Sequence, residues 1–196
     1  MNKKLFFPVI LVVALVFTFT AAGCDNGSTS DSDIWSEVTS LDQLNGTWKG
    51  VYNQGSMPIK DFLEEEDMWD DSMGQTLGDI KVSVKVAIVL TINSTQKTQA
   101  MAMTMTTTFS GGNINIVWPM LKMGFGSIDE EGMSVSFNDA THSMIMTLTN
   151  PPETMSDDEI NNTLNSGLLI NQSGRKIKIV PDSLESGMPE MILVKQ

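Results

Sequence analysis

The chain has 196 residues, which is enough for a single domain with a substantial apolar core. Its 24 Asp and Glu residues against 12 Lys and Arg give a formal net charge of -12 at pH 7. This balance argues against binding to nucleic acid or to anionic lipid surfaces. A single cysteine, Cys24, and a single histidine, His142, exclude a zinc site built from these residue types and a cysteine–histidine catalytic couple.

The N-terminal segment has the three parts of an export signal. Met1-Asn2-Lys3-Lys4 is positively charged, residues 5–19 are mostly apolar, and Ala21-Ala22-Gly23 is a run of small residues. The apolar run is too short for a comfortable membrane-spanning helix. We therefore expect residues 1–23 to be a signal peptide.

The small residues directly before Cys24 resemble the lipobox of bacterial lipoproteins. The resemblance implies cleavage before Cys24 and attachment of acyl chains, palmitate among them, to its thiol and to the new amino terminus. Such chains give firm anchoring, since each buried methylene contributes about 0.8 kcal/mol. The protein is then exported and anchored in the outer or inner bacterial membrane, facing the periplasm or the cell surface. The alternative is an ordinary secretory signal followed by an incidental cysteine.

Residues 25–33 are almost all Asp, Ser, Gly, Asn and Thr. Such a segment buries too little apolar surface to fold and predicts a flexible tether. The folded domain is expected to begin near Ile34 or Leu41. We assign residues 24–40 to the lipidated cysteine and its tether, and residues 41–196 to one folded domain.

From residue 41 onward the apolar residues mostly alternate with polar ones, which predicts β-strands. In the clearest strand, residues 80–92, Val82, Val84 and Val86 share one face and Lys81 and Lys85 lie on the other. Further strands are predicted at about residues 98–109, 114–118, 120–128, 133–138, 143–149, 168–172, 175–181 and 191–195.

Two segments are typical of short helices. Ser156 followed by Glu159 is a capping-box pattern, and Gly167 is a suitable C-terminal stop, which predicts a helix over about residues 157–166. The second candidate, Ile59 to Trp69, is acidic and weakly amphipathic.

Consecutive hairpins joined by short turns predict an all-β fold, an antiparallel up-and-down meander with one or two short helices. A meander of eight or more strands with one apolar face is most simply closed into a barrel, because closure removes the sheet edges. A β-sandwich is the alternative.

The segment before the first strand, Leu41-x-x-Leu44-Asn45-Gly46-Thr47-Trp48, is similar to the start of lipocalin-like (calycin-type) domains. The resemblance implies that Gly46 and Trp48 form a Gly-x-Trp motif whose tryptophan lies across the closed end of a barrel. That family often has a late arginine packed on the tryptophan. Here the final strand offers Lys195, and Arg175 lies one strand earlier.

In the same family the connection after the first strand is long and lies across the open mouth. The matching connection here, between about residues 53 and 79, carries Phe62, Met68, Trp69 and Met73. We expect it to act as a lid, and the alternative is a plain surface loop.

Methionines dominate one predicted face of the later strands. If the valines of residues 82–92 point inward, so do these methionines, and flexible thioethers suit ligands of varied shape. The expected ligand-binding residues are Met101, Met103, Met105, Met133, Phe137, Met144, Met146 and, from the lid, Trp69. One alternative is that the methionines simply fill the barrel. Another is Cu(I) binding by Met101, Met103 and Met105, with His142 and Met144 nearby.

Catalytic signatures are missing from the sequence. It has no His-Glu-x-x-His, nucleophile elbow or phosphate-binding glycine loop, and the acidic run Glu64-Glu65-Glu66-Asp67 matches no EF-hand. We expect no enzymatic activity, cofactor or metal. The predicted role is binding of an apolar small molecule by a membrane-anchored barrel. The competing role is that of a surface protein-interaction lipoprotein with a filled barrel.

Overall fold

The computed structural model describes residues 34–65, 77–125, 132–179 and 191–196. The strands in these ranges are β1 (Trp35–Glu37), β2 (Gly46–Pro58), β3 (Lys81–Asn93), β4 (Thr98–Ser110), β5 (Met133–Asn138), β6 (Ser143–Thr154), β7 (Leu168–Asn171), β8 (Lys176–Ile179) and β9 (Met191–Lys195). The helices are α1 (Ile59–Glu65), α2 (Ile114–Phe125) and α3 (Asp157–Leu164), with a 3₁₀ turn at Leu41–Leu44.

The strands form one nine-stranded antiparallel sheet in the order β1-β7-β8-β9-β2-β3-β4-β6-β5. The prediction of an antiparallel all-β fold with short helices is therefore confirmed. Across the described ranges no pairing joins the two outermost strands, β1 and β5, so these strands do not close into a barrel.

The strand order departs from a simple meander at three places, since β1 pairs with β7, β9 pairs with β2, and β4 pairs with β6. β4 pairs with β6, and β5 lies on the far side of β6 rather than next to β4. The connection from β4 to β5 contains α2, which is long enough to carry the chain past the position that β6 later occupies. A strictly sequential order was the wrong prediction here.

α2 replaces two predicted strands, at residues 114–118 and 120–128, of which residues 126–128 lie outside the described ranges. The apolar residues at 114, 116 and 118 alternate, but those at 114, 117, 118 and 121 also fit one helix face. The structure uses the second pattern, since Ile114, Val117, Trp118 and Leu121 are buried. The helix continues through Pro119, which is exposed.

One face of the sheet, called the inner face, carries the apolar residues of every long strand. It includes Val82, Val84 and Val86, and its buried side chains form a single core cluster that extends from β7, β8 and β9 to β4 and β6. Side chains from both halves of a nine-stranded sheet share one core only if the sheet curls around it. Two register shifts add local twist to the sheet. One lies in β2 between Gln54 and Met57, and the other lies in the pairing of β4 with β6.

The sheet begins at the earlier of the two expected starts, near Ile34. Trp35–Glu37 pairs with β7, the side chain of Val38 is buried, and the Nζ of Lys178 lies 4.8 Å from the ring centre of Trp35. Residues 35–37 therefore form a strand of the sheet and Val38 joins the core, although the sequence predicts no strand there. A short three-residue strand gives too weak an alternation to be detected.

α3 confirms the capping-box prediction. The Ser156 Oγ accepts a hydrogen bond from the Glu159 backbone N–H at 3.3 Å, and a Glu159 carboxylate oxygen accepts one from the Ser156 N–H at 2.6 Å. These hydrogen bonds hold the pKa of Glu159 below its usual range. The helix ends at Leu164, and Gly167 follows with a positive φ of 73°.

A glycine in β2 makes room for the last strand. A Cβ added to Gly50 would overlap the Cδ2 of Leu193 and lie 3.0 Å from the carbonyl oxygen of Ile192. Leu193 is fully buried and pairs with Ile177 of β8. The absent side chain thus lets β9 pack its largest core residue against β2.

We predict that Gly50→Ala lowers the free energy of unfolding by about 1–3 kcal/mol, because overpacking forces Leu193 out of position. Urea denaturation measures the change. Leu193→Ala is the matched partner in a double-mutant cycle. The double variant should lose at least about 1 kcal/mol less than the sum of the two single losses. Strict additivity would show that Gly50 is not needed for Leu193 packing.

Candidate binding face

Residues directly opposite each other form rows across the inner face. Side chains in one row are about 5 Å apart, and successive rows are about 6.6 Å apart along each strand. The row at mid-sheet contains Gly50, Ile88, Met103, Leu148 and Met133. The next row contains Tyr52, Val86, Met105, Met146 and Val135. The one after it contains Gln54, Val84, Thr107, Met144 and Phe137.

The six predicted methionines of β4, β5 and β6 all lie on this inner face, but they have two different environments. Met103 and Met144 are buried in the core. Four others are half-buried and pack against the core from its β5 side, and we call them the methionine patch: Met101, Met105, Met133 and Met146. Phe137 is also half-buried beside them, whereas Trp69 lies outside the described residues.

Trp48 seals one end of the curled sheet. Its ring is fully buried, and its Nε1 donates a hydrogen bond of 2.7 Å to the Leu44 carbonyl. The Nζ of Lys195 lies 5.2 Å from the ring centre, a cation–π distance. Gly46 has a φ of 123°, and a Cβ there would lie 2.8 Å from the Cε of Lys195. The small residue therefore leaves the lysine a path across the tryptophan.

Helices close the other end. α1 follows β2 directly, and the Ile59 N–H donates to the Ile80 carbonyl at 2.9 Å. Ile59 and Phe62 from α1 are buried in the same core cluster as Ile114 and Val117 from α2. The predicted lid thus starts as a packed helix and ends with Leu77 buried in the core, whereas residues 66–76, which include Met68, Trp69 and Met73, lie outside the described residues.

Trp118 fastens α2 to the sheet. Its ring centre lies 5.9 Å from those of Phe109 and Phe137 and 5.5 Å from the His142 ring. His142 is half-buried against this tryptophan, with a φ of 48° in its turn. Packing against Trp118 explains why a histidine stands in this turn.

A carboxylate completes the attachment of α2. One oxygen of Asp139 accepts hydrogen bonds from Trp118 Nε1 and from Lys122 Nζ, both at 2.7 Å. The Lys122 hydrogen bond, followed by that of Trp118, holds the pKa of Asp139 below its usual range. Asp139 thereby links the helix to the turn between β5 and β6.

The sequence reasoning missed two residues of the inner face. Gln54 and Thr107 lie on either side of Val84, in the row that ends at Phe137. Both are buried, and neither their side-chain amide nor their hydroxyl has a hydrogen-bond partner among the described residues. The sequence did contain a signal for them, because each places a polar residue among the inner-face positions of its strand, toward the end of β2 and of β4.

The outer face of α2 is apolar and faces solvent. Ile116, Met120 and Met123 are 71%, 58% and 74% exposed. Because the inner face of this helix is apolar as well, α2 is unusually hydrophobic for a surface helix.

Neither a metal cluster nor a membrane-spanning helix is found in the part of the chain that the structure describes. No three His, Cys, Asp or Glu side chains there are grouped to hold a metal ion. None of the helices in the described ranges has the length and apolar character needed to cross a bilayer. Comparison with protein-family models, curated proteins and solved structures gave no match to this chain.

We predict that Asp139→Asn weakens the fold at near-neutral pH but not in acid. A carboxyl with a lowered pKa stabilises the folded state above its ordinary value of about 3.9, and this contribution disappears as the pH falls through the folded-state pKa. Urea midpoints of variant and parent should differ at about pH 6 and converge in strong acid.

Asp158→Asn, on the exposed side of α3, controls for the loss of one negative charge. An equal difference between Asp139→Asn and the parent at both pH values would contradict the role given to the carboxylate.

Proposed function

We propose that this protein is an exported, lipid-anchored member of the lipocalin-like proteins that binds a small apolar molecule on the inner face of its curled sheet. The observation that carries the proposal is the methionine patch: Met101, Met105, Met133 and Met146 are apolar, adjacent across β4, β5 and β6, and only half-buried. Apolar surface left in water costs about 25 cal/mol per Å². A ligand that covers the patch recovers this free energy.

The choice of side chain supports the same proposal. Thioethers are flexible and polarizable, so a methionine surface adapts to an apolar ligand better than one of branched residues. On β3, where the core is closed, the corresponding positions are mainly valine and isoleucine, which hold one shape. The adaptable residues therefore concentrate where the surface is open.

The lipocalin-like assignment is supported by the Trp48 end of the sheet. A buried tryptophan after Gly46, with the cation of the last strand over its ring, has the arrangement that the Gly-x-Trp resemblance implies. Lys195 takes the position expected of an arginine. The described strands leave the sheet open between β1 and β5, so the proposed relationship is to the architecture of the family and does not require full closure.

A protein partner is the second candidate function. It is favoured by the exposed apolar face of α2, with Ile116, Met120 and Met123, because exposed apolar surface of this kind is often covered by a partner. In this case the methionine patch completes the core and holds no ligand. The two candidates differ in whether the purified protein carries a small molecule.

We predict that Cys24→Ser releases the protein from the membrane. Serine cannot form the thioether that carries the acyl chains, so both the anchor and the acylated amino terminus are lost. Membrane fractionation and intact mass measure the result. If the protein remains in the membrane fraction without an added acyl mass, Cys24 is not the anchor.

We predict that the full chain carrying Cys24→Ser retains a bound apolar molecule after purification. Native mass spectrometry should show an added mass that is lost on denaturation. A mass unchanged after incubation with a panel of lipids would favour the protein-partner function. An added mass of copper would instead favour the third candidate, Cu(I) binding by the thioethers of Met101, Met103 and Met105.

The same ligand should bind at least about tenfold more weakly when Met105 and Met146 are both replaced by serine, because burying each apolar side chain contributes about 1.5–3 kcal/mol. Met120→Ser on the outer face of α2 is the matched control and should leave the affinity unchanged.

A further inference from the structure

Two of the buried polar side chains have no partner. Among the described residues, the buried polar side chains are Gln54, Thr107, Ser143 and Asn171. The Ser143 Oγ forms hydrogen bonds with Thr108 and with the Thr141 carbonyl, and the Asn171 Oδ1 accepts from the N–H groups of residues 175 and 176. By contrast, the Gln54 amide and the Thr107 hydroxyl have no partner in the described ranges.

The two unpartnered groups belong to one place on the inner face. Gln54 on β2 and Thr107 on β4 are both directly opposite Val84 on the strand between them. Their Cα atoms are therefore about 10 Å apart, with the side chain of Val84 in the gap. All three side chains are covered, with Val84 2% and Thr107 0% exposed, so a small polar group reaches the glutamine amide and the threonine hydroxyl only by displacing the apolar side chains packed over Val84.

Leaving these groups unpaired in an apolar core is unfavourable. Apolar residues of similar shape could stand at both positions, methionine in place of Gln54 and valine in place of Thr107. A ligand group that pairs with both resolves the conflict between their burial and their polarity.

The methionine patch starts in the neighbouring row. Met105 is two residues from Thr107 on β4, and Met146 is two residues from Met144, the direct neighbour of Thr107. Along β4, the distance from Thr107 to Met101 is about 20 Å. A molecule with a polar end at Gln54 and Thr107 therefore has a continuous apolar surface along which its chain can lie.

The charge of the polar end follows from its surroundings. Gln and Thr are uncharged, and each both donates and accepts hydrogen bonds. The buried residues in the described ranges include no Lys, Arg, Asp, Glu or His. An ionised head group there would be buried without a counter-charge, which is strongly unfavourable.

We propose that Gln54 and Thr107 form a neutral polar site that holds the uncharged head group of a long-chain amphiphile, whose chain lies on the methionine patch. The head group is an alcohol, amide or ester rather than a carboxylate or phosphate. This inference rests on the proposed binding function and adds the class of ligand and its orientation to it.

The test compares four ligands of equal chain length delivered to the full chain carrying Cys24→Ser. They are hexadecane, cetyl alcohol, palmitamide and palmitate, the last at a pH where it is ionised. We expect the alcohol and the amide to bind about tenfold more tightly than the hydrocarbon, because each satisfies a buried donor or acceptor. Palmitate should bind more weakly than either.

Thr107→Val and Gln54→Met should abolish the preference for the alcohol over hexadecane while keeping the affinity for hexadecane. Thr106→Val, one residue away on the outer face, is the matched control and should keep the preference. Thermal unfolding of the ligand-free variants gives an independent readout. The melting temperature of Thr107→Val should stay the same or rise, because the variant loses an unpaired buried hydroxyl.

Several results would overturn the inference alone: equal binding of hexadecane and cetyl alcohol, tightest binding of ionised palmitate, or a preference that survives in Thr107→Val. A fall of more than about 4 °C in the melting temperature of Thr107→Val would show that the hydroxyl already has a partner in the folded protein. If none of the four ligands binds, the proposed binding function fails together with the inference.

Discussion

The structure depends on one constraint, which is that the described residues supply no second layer to cover the single apolar face of the nine-stranded sheet. The three helices of the described ranges are short and lie at the ends or edges of the strands, so the sheet buries the inner face against itself. The single core cluster that joins β7, β8 and β9 to β3 and β4 is the result. Trp48 closes one end of the curl, and side chains from α1 and α2 fill the other.

This arrangement explains why burial is uneven along the sheet. The centre, from β8 through β2 to β3, is covered from both sides as the sheet curls, and Ile177, Leu193 and Val82 are fully buried. The β5 end has a neighbour on one side only. Side chains there keep partial contact with water, and the chain places methionines rather than branched residues at these positions.

Much of the fold could be predicted from the sequence because alternation is a strong signal in long strands. β3, β4 and β6 each have at least three apolar residues in succession at every second position. The capping box at Ser156 and Glu159 identifies α3. α2 was missed because the apolar residues at 114, 116 and 118 satisfy a strand pattern, whereas those at 114, 117, 118 and 121 satisfy a helix pattern. The β4–β6 pairing was missed because it depends on where that helix carries the chain, which alternation does not encode. The candidate site was predicted only in part. The methionines follow the two-residue period of the strands and could be found from the sequence. Gln54 and Thr107 interrupt that period, and their proximity follows only from the strand register, which places both opposite Val84.

The lengths of the strands determine where the inner face stays open. β4 has 13 residues and β6 has 12, but β5 has only 6 and pairs with β6 from Leu148 to Ser143. It therefore extends the rows of Met103, Met105 and Thr107 and stops before the row of Met101, which ends at Asn150. A longer β5 would extend the row of Met101 as well. The short edge strand therefore leaves Met101, at one end of the methionine patch, in a row that ends at Asn150, whereas the polar pair at Gln54 and Thr107 lies at the opposite end of the patch, in the row that β5 completes with Phe137.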